Sequence, residues 1–141
     1  MKRNACAEWH GDLKTGKGTL STDSAVLRQT PYSFTSRFEA GTGTNPEELI
    51  AAAHAGCFTM ALSASLGQAG FTPDTLSTSA ALTLENSPQT SWTITAVHLE
   101  TTARVPGITP EKFAEIAAGA KANCPVSRVL KAAITLDAKL V

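Results

Sequence analysis

The segment that most constrains this chain begins at Asn45-Pro46-Glu47-Glu48 and continues as an alanine-rich apolar run to about Leu66. Asparagine followed by proline marks a helix start. The amide side chain accepts from a first-turn N–H, and proline occupies the first helical position, where its missing N–H is no loss. Glu48, three residues beyond the cap, completes a capping box, and Gly67 and Gly70 offer the stop. The spacing predicts a helix over 45–66 whose apolar residues are not confined to one stripe. Such a helix needs cover on nearly every side. His54, Thr59 and Ser63 interrupt the run of about 20 apolar residues required to cross a bilayer, so the expected cover is protein and no membrane partner is expected.

The rest of the chain supplies strands for that cover. Two strands are expected over 4–13 and 17–22, joined by a hairpin through Lys14 to Gly18, and a third over 33–39. Alternation predicts a second antiparallel pair over 76–85 and 93–105, with Val97, Leu99, Thr101 and Ala103 sharing one face. Thr109-Pro110-Glu111 caps a helix whose Phe113, Ile116, Ala117 and Ala120 share a face and which ends near Asn123. A short helix over 125–131 and a strand over 134–140 close the sequence. This order breaks the strict alternation of a doubly wound sheet and predicts an α+β fold, with antiparallel sheets packed around a central apolar helix that carries a cysteine. A chain of 141 residues is the size of one domain, taken as 1–141. One such domain cannot surround the helix alone, so a second copy is expected to complete the cover, with Gly56 and the alanines permitting close approach.

Charge and cysteine usage narrow the function. Twelve basic and twelve acidic residues cancel, so the basic footprint of a nucleic-acid binder is absent. Lys2 and Arg3 are followed by no apolar stretch that would make a signal peptide, so a cytoplasmic location is expected. There an odd, small number of cysteines, three here, reads as catalytic, metal-binding or buried.

Three motifs compete. Gly11 to Lys17 spells GxxxxGK, but Gly18 stands where a P-loop needs Ser or Thr, and a strand follows instead of a helix. His54 and Cys57 lie three apart on the helix and could reach one ion with Cys124, yet no second close pair of ligands supports a metal site and none is expected. Thiol chemistry remains. Cys6, in an edge strand, reads as a small core residue. Cys124 precedes Pro125 and occupies the N-cap of the short helix, where unpaired N–H groups favour a thiolate, so local physics makes it the better nucleophile. Cys57 lies three turns into its helix and would need a cation from another segment.

The runs GTNPEELIAAAHAGCFTMALS, residues 43–63, and NCPVSRVLKAAITLDAKL, residues 123–140, resemble the osmotically inducible protein C (OsmC) family, sister to the organic hydroperoxide resistance proteins. WHGDLKTGKGTLST, PYSFTSRFE and AGFTP extend the resemblance over nearly the whole chain, on the osmotically inducible branch. It implies an OsmC-like fold assembled as an intertwined homodimer with two interface sites, and a thiol-dependent peroxidase acting preferentially on organic hydroperoxides. It places the peroxidatic cysteine on Cys57, the resolving cysteine on Cys124, the activating arginine on Arg37 and the glutamate that orients it on Glu47. This reverses the local choice of nucleophile, and a guanidinium within about 4–6 Å is strong enough to do so, since it lowers a pKa by about 1–3 units. No cofactor is implied, and the reductant is an external dithiol, with dihydrolipoyl groups of a lipoylated protein as the family's choice.

Helix geometry adds one constraint: Glu47 and Cys57, ten positions apart, are about 15 Å apart along a straight helix. The arginine and glutamate are therefore expected to serve the partner's cysteine. Phe58, Met60 and Phe38 are candidates for contacting the substrate's alkyl or aryl group, and His54, a turn from Cys57, for tuning it. The competing reading is a non-enzymatic module that binds a small hydrophobic ligand in the dimer cleft, with the cysteines merely buried.

Overall fold

Alternating segments become two separate three-stranded sheets in the computed structural model, which describes residues 1–141. The chain divides into two compact units, Met1–Leu49 and Ile50–Val141. In the first, β1 (Ala5–His10), β2 (Lys17–Thr22) and β3 (Thr30–Ser33) pair antiparallel in that order. Asp12 closes the first turn. Its carboxylate accepts from the N–H groups of Lys14 at 2.9 Å and Thr15 at 3.1 Å, and from the Thr15 hydroxyl. A strand and not a helix follows Lys17, so GxxxxGK is a hairpin. Cys6 lies exposed on edge strand β1, which corrects its reading as a core residue.

The third strand is shorter than expected. Residues 34–38, read as strand, form helix α1 (Phe34–Phe38), because Ser33 and Ser36 make a reciprocal capping box. The Ser33 hydroxyl accepts from the Ser36 N–H at 3.1 Å, and the Ser33 N–H donates to the Ser36 hydroxyl at 2.9 Å. Satisfying two orphan donors outweighs the strand propensity of the flanking aromatic residues.

Helix α2 (Pro46–Gln68) starts as predicted, with the Asn45 side chain accepting from the Glu48 N–H at 2.8 Å. The expected capping box is not closed, because the Glu48 carboxylate accepts instead from the Thr44 hydroxyl at 3.1 Å. The helix is 23 residues long and its most apolar 18-residue window has a mean hydropathy of 1.6, the length and composition of a membrane span. Its stripe of His54, Phe58, Leu62 and Leu66 is nevertheless fully buried within the chain, which makes it a core helix. The expectation of burial on every side is not met by one chain, since Ala52, Ala53, Gly56 and Met60 are exposed.

In the second unit, β4 (Thr75–Ser87), β5 (Ser91–Arg104) and β6 (Ala133–Leu140) form the second sheet in that order. Val97, Leu99, Thr101 and Ala103 are buried as the alternation required, with Phe113, Ala117 and Ala120 of α3 (Pro110–Asn123) in the same core. The sheet is mixed, not wholly antiparallel as expected. β4 pairs antiparallel with β5, but β6 runs parallel to it. A parallel neighbour needs a crossover, and α3 with α4 (Pro125–Val129) provides it. Replacing Phe58 by Ala is expected to lower unfolding stability by about 3–5 kcal/mol, measured by urea denaturation.

Candidate active site

Cys124 ends α3 and caps α4, so a single residue joins two helices with its side chain fully buried. Cys57 reaches the same place from α2, packed against the core to which Cys124 belongs. The two thiols are neighbours that affect each other's ionisation, and the Val126 N–H favours the charged form of both. Burial pushes the Cys57 thiol above its ordinary value; the Val126 N–H opposes this, and the proximity of Cys124 adds to it. Burial also works against charge on Cys124. There, however, the Ser127 N–H, the Cys57 thiol, the Ser127 hydroxyl and the Val126 N–H together bring the thiol below its ordinary value. Within one chain the charge therefore favours Cys124, as its position at a helix start predicted.

His54 sits one turn before Cys57, and its Nε2 lies 2.8 Å from the Ser127 hydroxyl oxygen. The ring is wholly buried, Nδ1 has no hydrogen-bond partner, and burial pushes the imidazole below its usual range, favouring the neutral form. No three His, Cys, Asp or Glu side chains converge in a metal-binding arrangement.

Arg37 and Glu47 lie in the first unit. Arg37 Nε donates to Glu47 Oε2 at 3.1 Å and Nη2 donates to Oε1 at 2.7 Å, a bidentate pair that fixes the guanidinium plane. The fold holds this pair from both sides. The Ser36 hydroxyl donates to the Thr44 carbonyl at 2.8 Å and the Asn45 amide to the Ser36 carbonyl at 3.2 Å, tying α1 to the start of α2. Gly43 (φ +116°) lets the connecting loop pass, because a Cβ there would lie 2.5 Å from the Pro31 carbonyl oxygen. Two of the five guanidinium donors are used by Glu47, and the Arg37 side chain keeps 36% of its surface exposed.

Beside Arg37 opens a mostly apolar cleft of about 270 Å³, lined by Trp9, Leu13, Tyr32, Phe34, Phe38 and Pro46 together with Ser33 and Arg37. The guanidinium carbon stands 5.0 Å from the Phe38 ring centroid. Of the three candidate wall residues, only Phe38 lines this cleft; Phe58 is core, and Met60 is 76% exposed. Sequence reasoning missed Trp9 of β1, Tyr32 of β3 and Phe34 of α1, which come from three elements and whose local spacing carries no sign of a shared pocket. It also missed Ser127, although CPVS places a hydroxyl at the third position of a capped helix, a usual site for capping partners.

With the fold and both pairs of side chains established, their kinship can be stated: the chain belongs to the OsmC-like protein family, whose pattern matches residues 39–139. It is 55% identical over 134 residues, 95% of its own length and 93% of the relative's, to Peroxiredoxin OsmC of Escherichia coli. Among solved structures, an OsmC-like protein of unknown function from Vibrio cholerae superposes with a TM-score of 0.79 at 14% identity, covering 98% of this chain and 99% of that one. The organic hydroperoxide resistance protein OhrB of Bacillus subtilis does so at 0.68 with 21% identity, covering 98% of each chain. These likenesses confirm the expected OsmC-like α+β fold.

The buried His54 has a consequence for stability. Its folded pKa lies below the unfolded value of about 6.5, so below that pH the unfolded chain binds a proton that the folded chain refuses. Stability is expected to fall as pH drops from about 6.5 toward the folded value and to level off below it, because the unfolded state there holds more protons. Urea midpoints at a series of pH values should show this slope in the native chain and a shallower one in His54→Asn.

Proposed function

We propose that this chain is a thiol-dependent peroxidase that reduces organic hydroperoxides to alcohols, and hydrogen peroxide less efficiently, in the response to oxidative and osmotic stress. Cys57 is the peroxidatic thiol, Cys124 the resolving thiol, Arg37 the activator of the Cys57 thiolate and Glu47 the residue that orients Arg37. The observation that carries the reading is the meeting of Cys57 and Cys124, two neighbouring thiols brought together from separate elements. It is supported by the peroxiredoxin name of the E. coli relative and the hydroperoxide-resistance title of the B. subtilis structure.

In the first step the Cys57 thiolate attacks one oxygen of ROOH. A sulfur–oxygen bond forms, the O–O bond breaks, and RO⁻ takes up a proton and leaves as alcohol. Arg37 stabilises both the thiolate and the developing alkoxide, while the apolar cleft beside it receives the R group. Cys57 is left as a sulfenic acid. Cys124 condenses with it, releasing water and forming a Cys57–Cys124 disulfide, which an external dithiol such as a lipoylated protein reduces.

The site is completed by a second copy of the chain, with both units of residues 1–141 acting as one OsmC-like domain. Two observations support this. Burial and the neighbouring Cys124 push the Cys57 thiol up, so its activation needs a cation, and Glu47 and Cys57 lie ten positions apart on one helix, α2. The exposed small-residue flank of α2 at Ala52, Ala53 and Gly56 is the surface a partner would cover. We place the enzyme in the cytoplasm, where reducing conditions keep both thiols available.

Two experiments test the assignment. After addition of cumene hydroperoxide, mass spectrometry of Cys124→Ser should find sulfenic or sulfinic acid on Cys57; oxidation of Cys124 in Cys57→Ser would reverse the roles. Arg37→Ala and Cys57→Ser chains should each be nearly inactive. Unfolded and refolded together, they should recover about a quarter of native activity, since half the dimers are mixed and each carries one intact site. No recovery, in dimers shown to be mixed, would place Arg37 and Cys57 of the same chain in one site.

A further inference from the structure

His54 is the one polar member of a buried stripe otherwise made of Phe58, Leu62 and Leu66. An imidazole placed there loses its hydration and recovers a single hydrogen bond, the 2.8 Å contact from Nε2 to Ser127. The positions are matched. His54 precedes Cys57 by three residues on α2 and Ser127 follows Cys124 by three on α4, so the His54–Ser127 contact lies beside the pair of sulfurs.

The hydrogen-bond inventory fixes the direction of this contact. Nδ1 has no partner. A buried acceptor left unpaired costs less than a buried N–H left unpaired, so the proton belongs on Nε2, which donates to the Ser127 oxygen. The Ser127 hydroxyl must then direct its own proton elsewhere, and Cys124, at the N-cap three residues before it, offers a sulfur acceptor on which Ser127 already acts. We propose that His54 and Ser127 form a positioning pair for Cys124, in which the imidazole holds the Ser127 hydroxyl as a donor to the Cys124 sulfur and keeps that thiol ready for the disulfide-forming step. The proposal rests on the peroxidase reading above.

The step needs such help because the Cys124 side chain is fully buried, so solvent does not stabilise its charge. After the hydroperoxide has oxidised Cys57, the Cys124 thiolate attacks the Cys57 sulfur of the sulfenic acid. The S–S bond forms and the S–O bond breaks. Hydroxide leaves and takes up one proton, equivalent to the one Cys124 gave up, so the products are the disulfide and water. The titratable side chains flanking Cys124 are Cys57 and His54, both on α2. Arg128 of α4 is exposed, and Lys121 of α3 donates to the Ile134 carbonyl at 3.2 Å. No cation on these elements replaces the hydroxyl. Burial keeps His54 neutral, so it acts as a fixed donor and not as a base.

The test uses the full-length protein with Ser127→Ala, Ser127→Thr and His54→Phe. Following single-turnover reaction with cumene hydroperoxide, with dimedone trapping read by mass spectrometry, Ser127→Ala should lengthen the life of the Cys57 sulfenic acid on the order of tenfold or more, the loss of one hydrogen bond to a charged group. Oxidation of Cys57 itself should slow much less. In a Cys6→Ser, Cys57→Ser background without peroxide, where Cys124 is the sole thiol, ultraviolet thiolate absorbance should show Cys124 titrating at higher pH in Ser127→Ala, and nearer its original pH in Ser127→Thr, which keeps the hydroxyl. His54→Phe, if it folds, should behave as Ser127→Ala. Ser127→Ala that folds by circular dichroism yet forms the disulfide at the native rate, or slows both steps equally, would overturn the proposal. The thiolate titration involves no peroxide, so it judges the His54–Ser127 pair even if Cys57 proves not to be the peroxidatic thiol.

Discussion

Four side chains at four-residue intervals on α2, His54, Phe58, Leu62 and Leu66, set the orientation of everything chemical in the second unit. Once this stripe is buried, the rotation of the helix is fixed. Cys57, three residues past His54, then emerges at the edge of the buried face, where α3 ends and α4 begins. The cost of a polar member in the stripe is offset by a hydrogen bond that reaches across to α4, so the core and the site share a residue. Packing here is not background to the chemistry. It decides which sulfur meets which.

Cys57 and Cys124 show that a thiol's charge depends on what its neighbours donate more than on how deeply it lies. Burial opposes charge on both, yet the pair splits, because the start of α4 offers its unpaired N–H groups chiefly to Cys124. A single chain therefore holds Cys124 below its ordinary value and Cys57 above it. In the proposed site Arg37, pinned by Glu47 beside an apolar cleft, supplies the missing charge. In the proposed dimer, the reactive cysteine gains its activation only on assembly, which would keep an unassembled chain from reacting with peroxide.

Much of this was legible in the residues. Asn45-Pro46 announced α2 because capping is local chemistry, and the alternation in β5 named the buried Val97, Leu99, Thr101 and Ala103 because burial has period two in a strand. Thr109-Pro110 did the same for α3. Residues 34–38 misread as strand, because Phe34, Thr35 and Phe38 carry strand propensity and the two-serine box that overrides it needs the backbone geometry to be seen. Alternation says which face is buried but not which way a strand runs, so the direction of β6 was hidden. The His54–Ser127 contact joins positions 73 apart, and no local pattern encodes it. Arg37 and Glu47 came to notice through family resemblance, and the structure pairs them.

The direction of β6 has a bearing on how the chain matures. Because it lies parallel to β5, the polypeptide must travel back along the sheet before its last strand can dock, and Cys124 rides on that return path. Closing such a connection is a late and entropically costly event. Until it happens the two sulfurs belong to unrelated stretches of chain, and under the proposed roles a Cys57 oxidised too early would have no partner for a disulfide. On that reading, the return path that completes the sheet is also what delivers the second thiol.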